Sequence, residues 1–134
     1  MIRNILRLFL LVIVAISGSL CSCTKAIPTA PANVNFTVNL AQSSNSSLTK
    51  NGGSMIINQI IIAHTSGPNY YALFECCTHE NCNIEFLSSN TLFQCPCCGS
   101  LFDLDGNVNQ GPATIAIVSY KCILAGDILT VTSQ

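Results

Sequence analysis

Two short cysteine-rich segments constrain what this chain can fold into more than any other feature of its sequence. The first, CTHENC, spans residues 77–82, and the second, CPCCGS, spans residues 95–100. Two loops that each offer two soft ligands can close around one metal centre from opposite sides. The pair of segments therefore predicts a metal site or the remnant of one. Its candidate ligands are Cys77, His79, Cys95 and Cys98.

The rest of the chain is predicted to form strands. Residues 34–40 (VNFTVNL) alternate apolar and polar side chains, which is typical of a half-buried strand. Residues 55–63 (MIINQIIIA) are β-branched and almost continuously apolar, which favours one central strand. Between them, residues 41–54 predict a polar loop with nothing to bury. Further strands and hairpins are predicted at residues 70–75, 101–108, 114–124 and 128–133.

The fold class follows from these patterns. No segment beyond the N-terminal apolar run shows convincing helical periodicity, and 134 residues support one domain at most. We therefore predict an all-β fold over residues 34–134, built as an antiparallel β sandwich or a partly open barrel. The cysteine segments are expected to lie in a metal-binding subdomain, residues 76–102, that is inserted between the strands of this scaffold.

The N-terminal segment, residues 1–22, is predicted to be an export signal. Arg3 and Arg7 give it a positive start, and an apolar run follows at residues 8–16. That run is shorter than the about 20 residues that a transmembrane helix requires. A cleaved signal is therefore favoured, with a retained membrane anchor as the alternative. Export implies an oxidising compartment, in which disulfides persist.

The end of this signal, Leu20-Cys21-Ser22-Cys23, resembles that of a bacterial lipoprotein. The resemblance implies that Cys23 is the first mature residue and carries lipid. We expect the mature protein to be exported and lipid-anchored to a bacterial membrane, on its periplasmic or cell-surface side. Residues 23–33 are small and contain proline, which predicts a flexible tether between membrane and domain. An ordinary secretory signal with two incidental cysteines is the alternative.

Charge excludes one class of partner. Removal of the signal leaves three lysines and six acidic residues, which gives a net charge of −3. No basic patch is present, and binding to nucleic acid rests on neutralising phosphates, so no nucleic-acid partner is predicted. No serine–histidine–acid set, pair of carboxylates or phosphate-cradling loop stands out either. We therefore expect no independent catalytic site.

The cysteine segments and the residues after them resemble the Rieske iron–sulfur family. The family's first motif, C-x-H, is matched by Cys77 and His79. Its second motif, C-x-x-H, is matched by Cys95, but Cys98 stands in place of the histidine. The resemblance covers roughly residues 34–134. It includes FDLDGNV (102–108), GPA (111–113) and AGDILTV (125–131).

This resemblance implies a particular cofactor and ligand set. The cofactor would be a [2Fe–2S] cluster with Cys77 and Cys95 on one iron. His79 would bind the other iron, together with the residue at position 98, which here is Cys98.

The resemblance also implies a supporting role for other residues of the two loops. The family's disulfide between the loops would be formed here by Cys82 and Cys97. Ser100 keeps the hydroxyl that can donate a hydrogen bond to a cluster sulfur. Some higher-potential members carry a tyrosine that bonds a ligand sulfur at the position of Phe102, which has no hydroxyl to donate.

The replacement of histidine by Cys98 has a physical consequence. Neutral imidazoles on the outer iron raise the reduction potential of Rieske clusters. A thiolate in place of one imidazole adds a negative charge and makes reduction harder. We therefore predict a lower reduction potential than that of the two-histidine relatives, and Phe102 acts in the same direction.

Two other outcomes remain open for the same residues. The four candidate ligands form a Cys3His set that suits a closed tetrahedral zinc site. Alternatively, the domain is metal-free. Arg3 and Arg7 are not adjacent, which is typical of the export route for unfolded chains, and an unfolded chain cannot carry a finished cluster. In an oxidising compartment Cys98 would then pair with Cys77 or Cys95.

The number of cysteines bears on this choice. If the loop disulfide forms, and if three cysteines bind metal, then Cys76 and Cys122 remain in the mature domain. Both are predicted near strand ends that flank the insertion, so they are candidates for a second disulfide. An even count of the remaining cysteines modestly favours a metal site with three thiolates.

The sequence thus predicts a one-electron carrier rather than an enzyme in its own right. It would hold a [2Fe–2S] cluster with an atypical Cys3His ligand set and serve a redox partner protein at the membrane, which the sequence does not identify. The alternative is a zinc-stabilised or metal-free structural or interaction lipoprotein.

Overall fold

Ten β-strands and one short 3-10 helix make up residues 28–134, the part of the chain that the structure, a computed structural model, describes. The predicted signal, residues 1–22, and the predicted lipidation site, Cys23, lie outside the described residues. Within residues 28–134, no helix is both long enough and apolar enough to span a membrane. All the strands belong to two antiparallel sheets, which confirms the predicted all-β antiparallel fold.

The larger sheet has six strands and forms the scaffold. They are β1 (Asn35–Asn39), β2 (Ser54–Ile57), β3 (Ile60–His64), β4 (Tyr70–Phe74), β9 (Ser119–Ala125) and β10 (Ile128–Thr132). Their order across the sheet is β1-β10-β9-β4-β3-β2, and every neighbouring pair is antiparallel. The sheet therefore has β1 and β2 as its edges, and the buried strands β3 and β4 lie toward its interior.

The smaller sheet has four strands and follows β4 in the chain. They are β5 (Glu85–Leu87), β6 (Leu92–Gln94), β7 (Leu101–Phe102) and β8 (Val108–Gln110), in that order across the sheet. Neither β5 nor β6 was predicted as a strand. The predicted insertion, residues 76–102, contains β5, β6 and β7, while β8 lies beyond its end. The two cysteine segments thus lie in loops next to the strands of this smaller sheet.

The apolar run at residues 55–63 forms two strands, and the prediction of one central strand is wrong. Asn58 and Gln59 turn the chain between β2 and β3, with φ angles of 52° and 66°. Positive φ at both central residues of a two-residue loop is characteristic of a type I′ hairpin. Asn-Gln is not one of the usual sequences for this turn. Because the run is also apolar on both sides of these two residues, its pattern contains no signal of a hairpin there.

The predicted polar loop at residues 41–54 does bury a side chain. A 3-10 helix, Ser43–Thr49, forms there, and its Leu48 is fully buried. The Tyr70 hydroxyl donates a hydrogen bond to the Leu48 carbonyl oxygen at 3.0 Å. This segment therefore covers part of the core beside β3 and β4, whereas the sequence suggested nothing to bury.

The strand predicted at residues 114–124 begins only at Ser119. The residues before it run irregularly along the end of the core, where the Ile117 amide donates to the Gly106 carbonyl oxygen at 2.8 Å. Gly106 has a φ of 88°, and a Cβ there would collide with the Ile117 carbonyl oxygen. Only glycine fits this close approach, which joins the predicted hairpin at residues 101–108 to the segment before β9.

Residues 28–33, the described part of the predicted tether, contact the domain. Ala30 packs against the core, and the Tyr120 hydroxyl donates to the Pro31 carbonyl oxygen at 3.0 Å. The chain then enters β1, whose partner is β10. The segment that leads from the N-terminal region is thus attached to the domain before the first strand begins.

Candidate metal centre

Two hydrogen-bonded loops bring the predicted ligands together. In the loop after β4, the Cys77 amide donates to the Cys82 carbonyl oxygen at 2.8 Å, and the Asn81 amide donates back to Cys77 at 2.9 Å. In the loop between β6 and β7, the Cys95 amide donates to the Ser100 carbonyl oxygen at 2.9 Å. These bonds fix the direction of each cysteine side chain from its own loop.

A glycine shapes the second loop. The Gly99 amide donates to the Cys95 carbonyl oxygen at 2.8 Å, and Gly99 itself has a φ of 76°. Residues other than glycine adopt this left-handed conformation only at an energetic cost. Gly99 therefore lets the chain turn tightly after Cys98 and return to β7.

Three cysteine sulfurs converge between the loops. The Sγ atoms of Cys77, Cys95 and Cys98 all lie within 4.8 Å of one another. The Sγ atoms of Cys77 and Cys98 are 3.8 Å apart. Cys77 and Cys95 are fully buried, whereas Cys98 is partly exposed. The structure thus brings together three of the four ligands that the sequence predicted.

His79, the fourth predicted ligand, lies at the rim of this group. Its backbone amide donates to the Cys77 Sγ at 3.5 Å, and its ring hydrogen-bonds the Cys98 thiol. Its side chain is 41% exposed, and its Nδ1 is 3.4 Å from Glu80 Oε1. The ring does not join the three sulfurs in a set of four atoms within 4.8 Å. His79 therefore contacts the site through Cys98 and also faces solvent.

Ser100 links Cys98 to the segment before β9. This serine is fully buried, and its Oγ lies 3.1 Å from the Cys98 Sγ. The same Oγ accepts a hydrogen bond from the Ala113 amide at 2.9 Å. When Cys98 is a thiolate it can only accept, and the Ser100 hydroxyl is then the donor of this hydrogen bond. The sequence singled out Ser100 but not Ala113, whose backbone amide carries no sequence signal.

Cys95 and Cys98 differ in how readily they lose a proton. Burial opposes ionisation of Cys98, but hydrogen bonds from the hydroxyl and amide of Ser100, and from Cys95 and His79, outweigh it. They lower the Cys98 pKa from 9.0 to about 6. Burial raises the pKa of the Cys95 thiol to about 11, and its hydrogen bond with Cys77 acts in the same direction. Cys98 is therefore the first of this coupled pair to become a thiolate.

A disulfide joins the two loops, as the family resemblance implied. Cys82 and Cys97 are bonded, with their Cα atoms 6.3 Å apart. Their sulfurs also lie within 4.8 Å of the Cys95 Sγ. The disulfide therefore fastens the loops directly beside the three-sulfur group and leaves Cys77, Cys95 and Cys98 as thiols.

The second predicted disulfide, between Cys76 and Cys122, does not form. Strand β4 pairs with β9 through Ala72 and Tyr120, and continuing this register places Cys122 beside Tyr70. At about 3.3 Å per residue, Cys76 and Cys122 are then separated by roughly 20 Å along β4. Disulfides need Cα atoms within about 7 Å of each other. The argument from an even number of cysteines is therefore wrong as well.

One contact at the site was not predicted. The Thr78 hydroxyl, between two predicted ligands, donates to the Ile115 carbonyl oxygen at 2.6 Å. Together with the bond between Ser100 and Ala113, it attaches both cysteine loops to the segment before β9. Phe102 is fully buried and lies opposite Phe93 in β6, so this part of the second sheet supports the loops from the core.

An antiparallel β scaffold presents two disulfide-linked loops, with three cysteine sulfurs converging between them and a histidine at their rim, an arrangement that is typical of an iron–sulfur type of domain. The sequence matches the Rieske [2Fe-2S] domain family over residues 37–121, and the chain belongs to this family. It is therefore a member of a family of electron-transfer proteins.

Individual proteins are similar to part of the chain. The chain is 32% identical over 66 residues to the chloroplastic cytochrome b6-f complex iron-sulfur subunit of Chlamydomonas reinhardtii. This match covers 49% of this chain and 32% of the relative. It is 36% identical over 69 residues to the cytochrome b6-f complex iron-sulfur subunit of Cyanothece sp., and this second match covers 52% of this chain and 37% of the relative. The chain thus spans about a third of the length of these relatives.

Solved structures share the fold. The cyanobacterial plasma membrane Rieske protein PetC3 from Synechocystis PCC 6803 superposes with a TM-score of 0.56 at 23% identity, covering 72% of this chain and 99% of the other. The ferredoxin of carbazole 1,9a-dioxygenase from Nocardioides aromaticivorans IC177 has a TM-score of 0.56 at 16% identity. It covers 80% of this chain and 100% of the other.

Membership of the family implies a [2Fe–2S] cluster, and the residues present fit it in their chemistry. Three thiols and an imidazole are soft donors of the kind that iron–sulfur clusters use. Their spacing differs at one point. In the family pattern, the residues at positions 77 and 98 bind different irons, yet here the Sγ atoms of Cys77 and Cys98 lie only 3.8 Å apart. A cluster therefore requires the Cys98 side chain to be displaced from Cys77.

Proposed function

We propose that this chain is a one-electron carrier that holds a [2Fe–2S] cluster through Cys77, Cys95, His79 and Cys98. The observation that carries the proposal is the convergence of three cysteine sulfurs within 4.8 Å in a Rieske domain. When bound, such a cluster takes up and releases one electron. Cys98, partly exposed and followed by Gly99 in the left-handed region, is the ligand whose position can adjust.

The protein's own residues would prepare the site in three ways. Burial of Cys77 and Cys95 excludes water from two ligands, and the Cys82–Cys97 disulfide holds the loops together. Ser100 positions Cys98 through its hydroxyl. The His79 side chain is 41% exposed and lies at the rim of the site, where a docked protein can contact it. These features suit a carrier that exchanges electrons through its surface.

We propose that the partner is a redox protein at a membrane. Two relatives are subunits of cytochrome b6-f complexes, which supports a partner of this kind. The surface beside the site is suited to docking, because Ile115 is 65% exposed and Val118 is 49% exposed. Thr78 holds the Ile115 backbone against the first cysteine loop, so this apolar surface is contiguous with the site.

Localisation is part of the proposal. The signal-like residues 1–22 and the lipoprotein-like cysteine support export and a lipid anchor on Cys23. Mass spectrometry of the mature N-terminus from the native membrane fraction tests this. We expect a diacylglyceryl-modified Cys23, and Cys23→Ala should release the protein from the membrane while Cys21→Ala should not. An unmodified N-terminus, or cleavage elsewhere, would contradict it.

The electron-transfer proposal is tested by iron and sulfide analysis of the full chain isolated from its native membrane. We expect iron and acid-labile sulfide in equal amounts and a visible charge-transfer spectrum that bleaches with dithionite. Cys95→Ser should remove the spectrum. Cys122→Ser is the matched control because Cys122 lies far from the site, and it should keep the colour. Protein that contains neither iron nor sulfide would reject the proposal.

A further inference from the structure

The spacing of the cysteine sulfurs matches the coordination geometry of a single metal ion. Zinc bound to thiolate has a Zn–S bond of about 2.3 Å, so two sulfurs on one tetrahedral ion are about 3.8 Å apart. The Sγ atoms of Cys77 and Cys98 are 3.8 Å apart, and Cys95 lies within 4.8 Å of both. Ligands on two different irons would be separated by the core of a cluster and lie farther apart.

Backbone donors surround all three sulfurs. The His79 amide donates to the Cys77 Sγ at 3.5 Å. The amides of Cys97 and Cys98 donate to the Cys95 sulfur, and the Ser100 amide donates to the Cys98 sulfur. Such N–H donors form the second shell that orients metal ligands and compensates thiolate charge.

A fourth ligand stands beside this group. The His79 side chain interacts with the Cys98 thiol at the rim of the three-sulfur group. The side chain is 41% exposed, and its Nδ1 lies 3.4 Å from Glu80 Oε1. A neutral imidazole nitrogen is a usual fourth ligand in structural sites with three thiolates.

We propose that, in protein that contains no cluster, Cys77, Cys95 and Cys98 bind one divalent ion of the zinc type with His79 as the fourth ligand. The inference shares its residues with the proposed electron-transfer function but does not depend on it. Cys98 makes this mode of binding possible. It adds a third sulfur, and its Sγ lies 3.8 Å from that of Cys77, which is the distance between two thiolate ligands of one tetrahedral ion. The ion would hold both loops in the arrangement that the structure shows.

Cobalt is a suitable probe, because tetrahedral Co²⁺ bound to thiolates absorbs strongly in the visible and near ultraviolet. The full chain is stripped of metal with chelator and without thiol reductant, so that the Cys82–Cys97 disulfide stays intact. Titration with Co²⁺ should give thiolate-to-metal charge transfer and intense ligand-field bands that saturate at one ion per chain. Zn²⁺ should then displace the cobalt stoichiometrically. A weak octahedral spectrum without charge transfer would overturn the proposal.

Two variants with one control assign the ligands. Cys98→Ser should reduce Zn²⁺ affinity by more than the roughly 10–100-fold that loss of a second-shell partner costs. His79→Ala should keep the charge-transfer band and shift the ligand-field bands. Cys122→Ser, which removes a cysteine outside the site, should bind cobalt as the unmodified chain does. Unchanged affinity in Cys98→Ser, or unchanged ligand-field bands in His79→Ala, would contradict that residue's assignment.

The outcomes separate this inference from the proposed function. Native protein with iron and sulfide, together with no tetrahedral cobalt spectrum in the stripped chain, supports electron transfer and rejects the single-ion site. Native protein without iron, together with a saturating cobalt spectrum, gives the opposite result. Circular dichroism of each metal-stripped variant shows whether it is folded. The cobalt spectrum of the unmodified chain tests the proposal without any substitution.

Discussion

At the scale of single residues, Cys98 distinguishes this chain from the pattern of its family. It stands where the motif has its second histidine, and its sulfur contacts both Cys77 and Ser100. A cysteine thiolate differs from a histidine imidazole in its charge and in the distance of its donor atom from the backbone. The identity of this one side chain therefore affects the potential of a cluster, the choice between a cluster and a single ion, and the reactivity of the metal-free protein.

Restoring the family's ligand is expected to raise the reduction potential. In Cys98→His a neutral imidazole replaces a negatively charged thiolate, which makes reduction easier by on the order of 100 mV or more. A redox titration followed by visible circular dichroism measures the change in cluster-loaded protein. Cys122→Ser should leave the potential unchanged. Equal potentials for Cys98→His and the unmodified chain would mean that residue 98 does not bind iron.

Loss of the Ser100 hydroxyl is expected to make Cys98 less acidic in metal-free protein. The Cys98 pKa of about 6 lies below the ordinary value of 9.0, so its thiolate predominates at neutral pH. This ionised form stabilises the fold fully above pH 9, and its contribution is lost as the pH falls through about 6. Ser100→Ala removes the side-chain donor that lowers this pKa.

The rate of Cys98 alkylation against pH, read by peptide mass spectrometry, measures this effect. The midpoint should lie near pH 6 in the unmodified chain and at higher pH in Ser100→Ala. Ser66→Ala changes a serine of the turn between β3 and β4, away from the site, and should not move the midpoint. The same midpoint in Ser100→Ala would show that the hydroxyl does not stabilise the thiolate.

At the scale of elements, the loops are better specified by the sequence than the strands. The cysteine motif predicted four converging ligands, because each is a rare residue at a fixed spacing, and the structure brings the three cysteines among them together. The pairing of Cys76 with Cys122 could not be predicted correctly, because it depends on the register of β4 and β9 and therefore on the folded sheet. The contact of Ser100 with the Ala113 amide likewise depends on a backbone atom that every residue possesses.

The bounds of the strands were harder to predict from sequence patterns than the cysteine loops were. The run at residues 55–63 is apolar on both sides of its turn, so periodicity gave no sign of where β2 ends. Strands β5 and β6 have only three residues each, too few for alternation to be recognised. Longer strands with a turn on each side, such as β4 and β10, were predicted within one or two residues of their bounds.

Relief of strain in the β2–β3 turn is expected to stabilise the domain. Gln59 has a φ of 66°, and a residue with a side chain pays about 1 kcal/mol or more in this conformation. Gln59→Gly gives an Asn-Gly turn, the preferred sequence for this hairpin, and should raise the free energy of unfolding by about 1 kcal/mol. Urea denaturation followed by circular dichroism measures it.

The matched control is Gln94→Gly in β6, where the backbone is extended and glycine weakens the strand. That variant should be less stable than the unmodified chain. If Gln59→Gly is also destabilising, the Gln59 side chain contributes contacts that outweigh the strain of its backbone.

At the scale of the whole molecule, one sheet is the scaffold and the other supports the site. Both cysteine loops are attached to the segment before β9, through Thr78 and Ile115 on one side and through Ser100 and Ala113 on the other. The scaffold in turn fixes the N-terminal segment through Tyr120 and Pro31. The geometry of the site therefore depends on a segment that follows both cysteine loops in the sequence.

Tyr120→Phe is expected to loosen the N-terminal segment without unfolding the domain. It removes the hydrogen bond to the Pro31 carbonyl oxygen, which costs about 1 kcal/mol. Limited proteolysis of the full chain should then cut faster within residues 28–33, while hydrogen exchange in β9 changes little. Tyr71→Phe keeps the Pro31 contact and should be cut at the unmodified rate. Equal cutting rates in all three proteins would show that this bond does not hold the segment.

The pairing of β1 with β10 has a consequence for biosynthesis. The contact between Val34 and Ser133 at this edge spans 99 positions of sequence. At ribosomal rates of 5–20 residues per second, β1 emerges roughly 5 to 20 seconds before its partner strand has been made. The nascent chain therefore carries both cysteine loops while its first strand is still open. Until β10 has been made, the edge of β1 that pairs with it presents unpaired backbone N–H and C=O groups, which are a template for pairing with another chain.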